Sequence, residues 1–139
     1  MSRMKFLGLA AALSLLSGCA AATATKASSG DDGAELSASL AGATFGRVPG
    51  QPVDCVEVSQ LTGNRALGQS LLLFEGLEGR LYANRTLSCP ALRHGHSVRL
   101  KTVTARLCSG NAVDIVDARG AVVAGNCTIG RFLTYHPRG

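Results

Sequence analysis

The stretch Leu71-Leu72-Leu73-Phe74 contains no polar residue and lies between Gly68 and Gly76. Successive side chains of a strand point to opposite faces, so a continuous apolar run of this length asks for cover on both sides of a sheet. A short buried helix is the other structure such a run forms, but its length and the flanking glycines favour the strand. After the loop signal Gly76-Leu77-Glu78-Gly79, alternation resumes in Arg80-Leu81-Tyr82-Ala83-Asn84. The two runs read as a hairpin.

The rest of the chain after Val53 has the same grain. Val53–Val58 is extended and apolar-rich. Val98, Leu100 and Thr102 share one face, opposite Arg99 and Lys101; then the phase slips, and Val103, Ala105 and Leu107 share a face opposite Thr104 and Arg106. A one-residue slip swaps faces, so a bulge or tight turn is expected near Thr102-Val103. Val113-Asp114-Ile115-Val116 reads as a strand, Asp117-Ala118-Arg119-Gly120 as a turn, and Ala121–Ala124 and Cys127–Leu133 as the last strands. About six or seven short strands in about 85 residues predict an all-β domain, a small antiparallel barrel or sandwich.

Its core has to be modest. The chain is 46% hydrophobic but has no Trp, four Phe and two Tyr, so burial rests on Leu, Val, Ile and Ala. Small domains in that position commonly recruit disulfides.

Upstream, Met1–Lys5 is short and cationic, and Phe6–Leu16 is apolar. A membrane-spanning helix needs about 20 apolar residues, so this run is too short to be one and matches a secretory signal peptide. Leu16-Ser17-Gly18-Cys19 resembles the lipobox of bacterial lipoproteins. The resemblance implies lipid on the Cys19 thiol, cleavage before Cys19 and acylation of the new amine, hence attachment to a membrane through that residue. Several acyl chains hold a protein durably, because each buried methylene contributes about 0.8 kcal/mol. Ala20 follows the lipid-bearing residue; in a diderm bacterium that implies the outer membrane, facing the periplasm. The alternative is an ordinary signal peptide cut near Ala20–Ala24.

Residues 1–18 are therefore expected as a lipoprotein signal peptide, 19–50 as a lipid-anchored tether and 51–137 as the all-β domain. Ala20–Gly33 is Ala, Thr, Ser, Gly and Asp with one Lys, and reads as flexible. Glu35–Ala41 is a short helix candidate, with Leu36 and Leu40 on one side and Asp31 or Asp32 as cap. Gly46, Pro49, Gly50 and Pro52 then break any helix.

With Cys19 set aside, Cys55, Cys89, Cys108 and Cys127 remain, an even number that in an exported chain reads as two disulfides. Three connectivities are open. The expected one is Cys89–Cys108 with Cys55–Cys127, closing loops of about 20 and about 73 residues, for roughly 3 and 4 kcal/mol of chain entropy. The longer link would tie the first strand to the last. No C-x-x-C occurs, which argues against a reactive or metal-binding role for these thiols.

These features together resemble a group of small exported bacterial proteins of unknown function. The shared pattern is Pro52-Val53-Asp54-Cys55-Val56 at the domain's opening, and Tyr82-Ala83-Asn84 leading into Cys89-Pro90-Ala91-Leu92. Leu107-Cys108-Ser109-Gly110-Asn111 follows, then Cys127-Thr128-Ile129-Gly130-Arg131-Phe132 with Tyr135 behind it. Asn111 stands where the group tends to have Asp, which argues against an essential carboxylate there. The resemblance implies a fold unit and a compartment, and no reaction.

Charge is uneven along the chain. Fourteen basic and nine acidic residues give a formal net charge of +5. The span from Gly79 to Val113 has no acidic residue but contains Arg80, Arg85, Arg93, Arg99, Lys101 and Arg106. These form a candidate face for an anionic envelope component, set against the plain reading of outward-facing strand positions. Nucleic acid is not expected, since an exported chain does not meet it and stacking aromatics are scarce. His94-Gly95-His96, with His136 as a third ligand, is a candidate metal site, although zinc sites want three or four ligands and ordered supporting partners. No G-x-S-x-G, H-E-x-x-H or phosphate-cradling glycine loop is present, and no cofactor is implied. Asp114 and Asp117 fall on opposite faces of a strand and read as turn and surface residues rather than a carboxylate pair. The expectation is a lipid-anchored envelope protein with a non-enzymatic binding or accessory role, meeting an envelope component or another envelope protein. The alternative is a metal-binding protein or envelope enzyme using His94 and His96.

Overall fold

A computed structural model describes residues 28–101 and 103–139. Cys19, the signal peptide and the first part of the expected tether lie outside the described residues. The described residues begin with helix α1 (Ser28–Ala43) and strands β1 (Arg47–Pro49), β2 (Cys55–Glu57), β3 (Leu61–Ala66), β4 (Leu71–Gly76) and β5 (Leu81–Arg85). They continue through β6 (Ser97–Leu100), β7 (Arg106–Cys108), β8 (Ala112–Val116), β9 (Val122–Thr128) and β10 (Phe132–Pro137). All strand pairing is antiparallel, in a five-stranded sheet of order β1-β10-β5-β4-β3, a three-stranded sheet β6-β8-β9 and a two-stranded ladder β2-β7. The sheets do not close into a barrel, and the architecture is a small sandwich with one helix.

The apolar run that opens the domain's logic is β4, and both its faces are covered. Leu72 and Phe74 point into the main core between the sheets, where Phe74 and Tyr82 meet Phe132 edge-on with ring centroids 5.5 and 6.4 Å away. Val56, Leu92, Leu107, Val113, Ile115 and Ile129 fill the space around them. Leu71 and Leu73 point the other way, with Leu81 and Ala83 of β5, and α1 lies across them through Leu36, Leu40 and Ala43. The i, i+4, i+7 spacing puts these three on one stripe of the helix. Leu36 sits so close to Gly68 that a Cβ there would come within 2.8 Å of its Cδ2. The helix ends at Thr44, whose backbone N–H and hydroxyl both donate to the Leu40 carbonyl, at 2.9 and 2.8 Å.

The helix is therefore longer than the short Glu35–Ala41 segment expected, and Ser28–Gly33, expected as tether, belongs to it. Ala, Ser, Asp and Gly composition hides such a helix, because its stability comes from the sheet face it covers rather than from propensity. The hairpin β4–β5 and the strand β8 fall where expected, and Asp117 builds the turn after β8 by accepting from the backbone N–H groups of Arg119 and Ala121. Near Thr102-Val103 the bulge or turn is not a break within one ladder. The chain there passes from β6 in the three-stranded sheet to β7 in the two-stranded one, so the hydrophobic phase changes because the sheet changes. The two final segments Ala121–Ala124 and Cys127–Leu133 are redistributed. β9 runs unbroken through Gly125-Asn126, with an irregular register opposite β8, and β10 begins only at Phe132. β1, which carries few apolar residues, lies in the span expected as tether and pairs with β10, and β3 falls in a span read neither as strand nor as helix.

Two asparagines join the sheets where backbone pairing stops. Asn64 of β3 donates from Nδ2 to the Val98 carbonyl at 3.0 Å and accepts from the Val98 N–H at 2.7 Å, linking the edges of the two larger sheets. Asn84 of β5, wholly buried, does the same with Gly130: Nδ2 donates to its carbonyl at 2.7 Å, and Oδ1 accepts from its N–H at 2.8 Å. A carboxamide presents one donor and one acceptor side by side, so it replaces a missing strand partner. Gly130 has no room for a side chain, since a Cβ would run into the Arg85 carbonyl oxygen.

Candidate functional site

Both disulfides are formed, but with a different pairing from the one expected: Cys55–Cys108 and Cys89–Cys127, with sequence separations of 53 and 38. Strand register explains both. Cys55 and Cys108 are direct partners in the β2–β7 ladder. Ser88 and Thr128 form an antiparallel bridge, which puts the next residues, Cys89 and Cys127, opposite one another. Loop-closure entropy varies only slowly with loop length, so it does not decide a pairing that strand register decides.

The motifs that carry the family resemblance meet each other in space. Tyr82 and Asn84 contact Phe132 and Gly130 of the closing motif; Cys55 is bonded to Cys108, and Cys89 to Cys127. Asn111 accepts the Cys108 N–H through Oδ1 at 2.9 Å, shaping the β7–β8 turn. That is an acceptor role which Asp and Asn fill alike, so the departure from Asp keeps the turn. These residues build the sandwich.

The six cations differ in what they meet. Arg106 pairs with Glu57 at 3.0 Å, Arg80 with Glu78 at 3.9 Å, and Lys101 with Asp114 at 3.5 Å while donating to Asn126. Arg99 stands opposite Asp114 in the β6–β8 ladder. Arg85 ends β5 in the other large sheet. Arg85, Arg99 and Arg106 lie on β5, β6 and β7, which belong to three different sheets, while Arg80, Arg93 and Lys101 lie outside the strands. Arg93 differs from the others: its Nη1 donates to the Pro90 and Leu92 carbonyls, both at 2.8 Å, which fixes the guanidinium over the turn after Cys89.

The histidines divide. His94 and His96 flank Gly95 ahead of β6, and His96 Nδ1 accepts the Arg93 N–H at 3.2 Å. His136 is on β10 and lines a different cleft, with Arg80 and Tyr82. Among the described residues, no three His, Cys, Asp or Glu side chains come together as a metal-binding group.

A cleft of about 790 Å³ lies where α1 crosses the five-stranded sheet. Leu36 and Ser39 of the helix form one wall, Leu67–Ser70 before β4 the second, and Thr86–Pro90 with Arg93 and His94 the third. Sequence reasoning named Arg93 and His94 but had no means to place them beside α1, because the helix reaches them only by docking on the sheet.

This architecture is a disulfide-stapled antiparallel sandwich with a helix closing the outer face of its larger sheet. The chain belongs to a family of unknown function (DUF6491), whose family model matches residues 2–137. Comparisons with curated proteins and with solved structures give no match.

Proposed function

We propose that this chain is an exported, lipid-anchored envelope protein whose sandwich domain is a non-enzymatic binding or accessory module. The observation that carries the reading is the arrangement of its cysteines. Four of five pair with one another inside the domain, and the fifth, Cys19, closes a Leu-Ser-Gly-Cys sequence after a cationic and apolar segment. Two disulfides in so small a domain accord with an oxidising compartment outside the cytosol. The family match starts at residue 2, so the N-terminal segment and the domain are shared as one unit. For a diderm source, Ala20 favours the outer membrane, facing the periplasm.

Intact-mass analysis of the protein from membrane fractions tests the anchor. The expected species begins at Cys19 and carries a thioether-linked diacylglyceryl group and an amide-linked acyl chain. A chain beginning at Cys19 or beyond without these masses overturns the reading.

A further inference from the structure

We propose that the cleft between α1 and the five-stranded sheet binds a small amphiphilic anion, a molecule with an apolar body and a carboxylate or phosphate head. This assigns a ligand class to the binding module proposed above. The cleft's volume, about 790 Å³, falls within the size range of small-molecule sites. Its lining combines apolar and cationic side chains. Leu36, Leu67 and Leu87 offer apolar surface, and Leu87 is 67% exposed although nothing in its strand connection requires an apolar side chain there. Arg93 and His94 also line it, and none of the described lining residues is a carboxylate. Arg93 has no acidic partner among the described residues, unlike Arg80, Lys101 and Arg106, each of which pairs with a carboxylate.

Arg93 is also held in place before any ligand arrives. Both of its hydrogen bonds to carbonyls are made by Nη1, so Nε and Nη2 have no acceptor among the described residues. A planar guanidinium with two free donor positions matches the paired oxygens of a carboxylate or phosphate. His94 and the Ser88 hydroxyl add further hydrogen-bonding capacity along the same rim. An apolar body laid on the three leucines would cover surface that is now wet, and the head would meet the fixed cation.

The test uses the full, natively processed chain in phosphatidylcholine nanodiscs and three photoreactive probes: a dodecyl phosphate, a dodecanoate and a dodecyl-trimethylammonium. Crosslinked peptides are read by mass spectrometry. The anionic probes are expected to label segments 67–70 and 86–94, and unlabelled anion is expected to compete. The preferred head, phosphate or carboxylate, is the one that labels at lower concentration. Leu87→Glu, at an exposed position, places a carboxylate in the cleft and is expected to reduce labelling by about tenfold or more. Arg93→Gln is expected to do the same, and Arg99→Gln to leave it unchanged. Labelling that is equal for the cationic probe, spread along the chain, or unaffected by Leu87→Glu overturns the proposal. A chain lacking lipid on Cys19 would refute the anchor alone, since the same labelling is measurable on protein from the soluble fraction.

Discussion

Replacing Asn84 with Ala tests whether side chains complete the sandwich where its ladders end. The Asn84 carboxamide is wholly buried and makes both of its hydrogen bonds to the buried residue Gly130, at 2.7 and 2.8 Å. Alanine removes a donor and an acceptor together and leaves the Gly130 N–H and carbonyl facing a methyl group. An unsatisfied buried polar group costs about 1–3 kcal/mol, so two cost about 2–6 kcal/mol. Against a typical domain stability of about 5–15 kcal/mol, that is a large share of the total. With no Trp in the chain, the assay is urea denaturation followed by far-UV circular dichroism, disulfides intact. At a slope of about 1–3 kcal/mol per molar urea, the midpoint is expected to fall by at least about 0.7 M. Asn84→Asp sharpens the reasoning, because it keeps shape and acceptor while losing the donor and setting a carboxylate against the Gly130 carbonyl. Burial and that carbonyl both raise the folded-state pKa of the introduced acid. Its penalty is therefore greatest above that raised pKa and shrinks on acidification, as the protonated carboxyl regains a donor. A change below about 0.5 kcal/mol for Asn84→Ala would refute the reasoning, for that is the size of an ordinary surface substitution.

Two further outcomes follow from the packing. Non-reducing peptide mapping is expected to recover Cys55 linked to Cys108 and Cys89 linked to Cys127, and Cys108→Ser is expected to cost about 2–5 kcal/mol; any other linkage contradicts the strand register. Leu40→Glu places a charge between α1 and the sheet, and is expected to speed hydrogen exchange at residues 71–73 and 81–83 well before the main core opens. Uniform exchange across both faces of β4 would mean that the helix and the sheet open as one unit.

The structure turns the family resemblance from a pattern into a set of contacts. Asn84 and Gly130 are 46 residues apart and look unrelated in the chain, yet each satisfies the other's buried polar groups. Asn111, the one departure, keeps the acceptor that its turn requires. The candidate site has a different character. Arg93 stood out as one of six cations and His94 as a candidate metal ligand, and their meeting in one cleft rests on where β5, the turn after Cys89 and α1 come to lie.

Local chemistry was legible wherever neighbours in sequence are also neighbours in the fold. The apolar run of β4 asked for two covered faces, the β4–β5 hairpin and the Asp117 turn are closed by residues a few positions apart, and an even set of cysteines asked for two disulfides. Which element covers the second face, which cysteine meets which, and which cations escape neutralisation depend on register and docking between distant segments. Many arrangements satisfy the same alternation at similar local energy, and only burial of one shared core selects among them. For the same reason Leu36 and Arg93 become two walls of one cleft only once α1 has settled on β4 and β5.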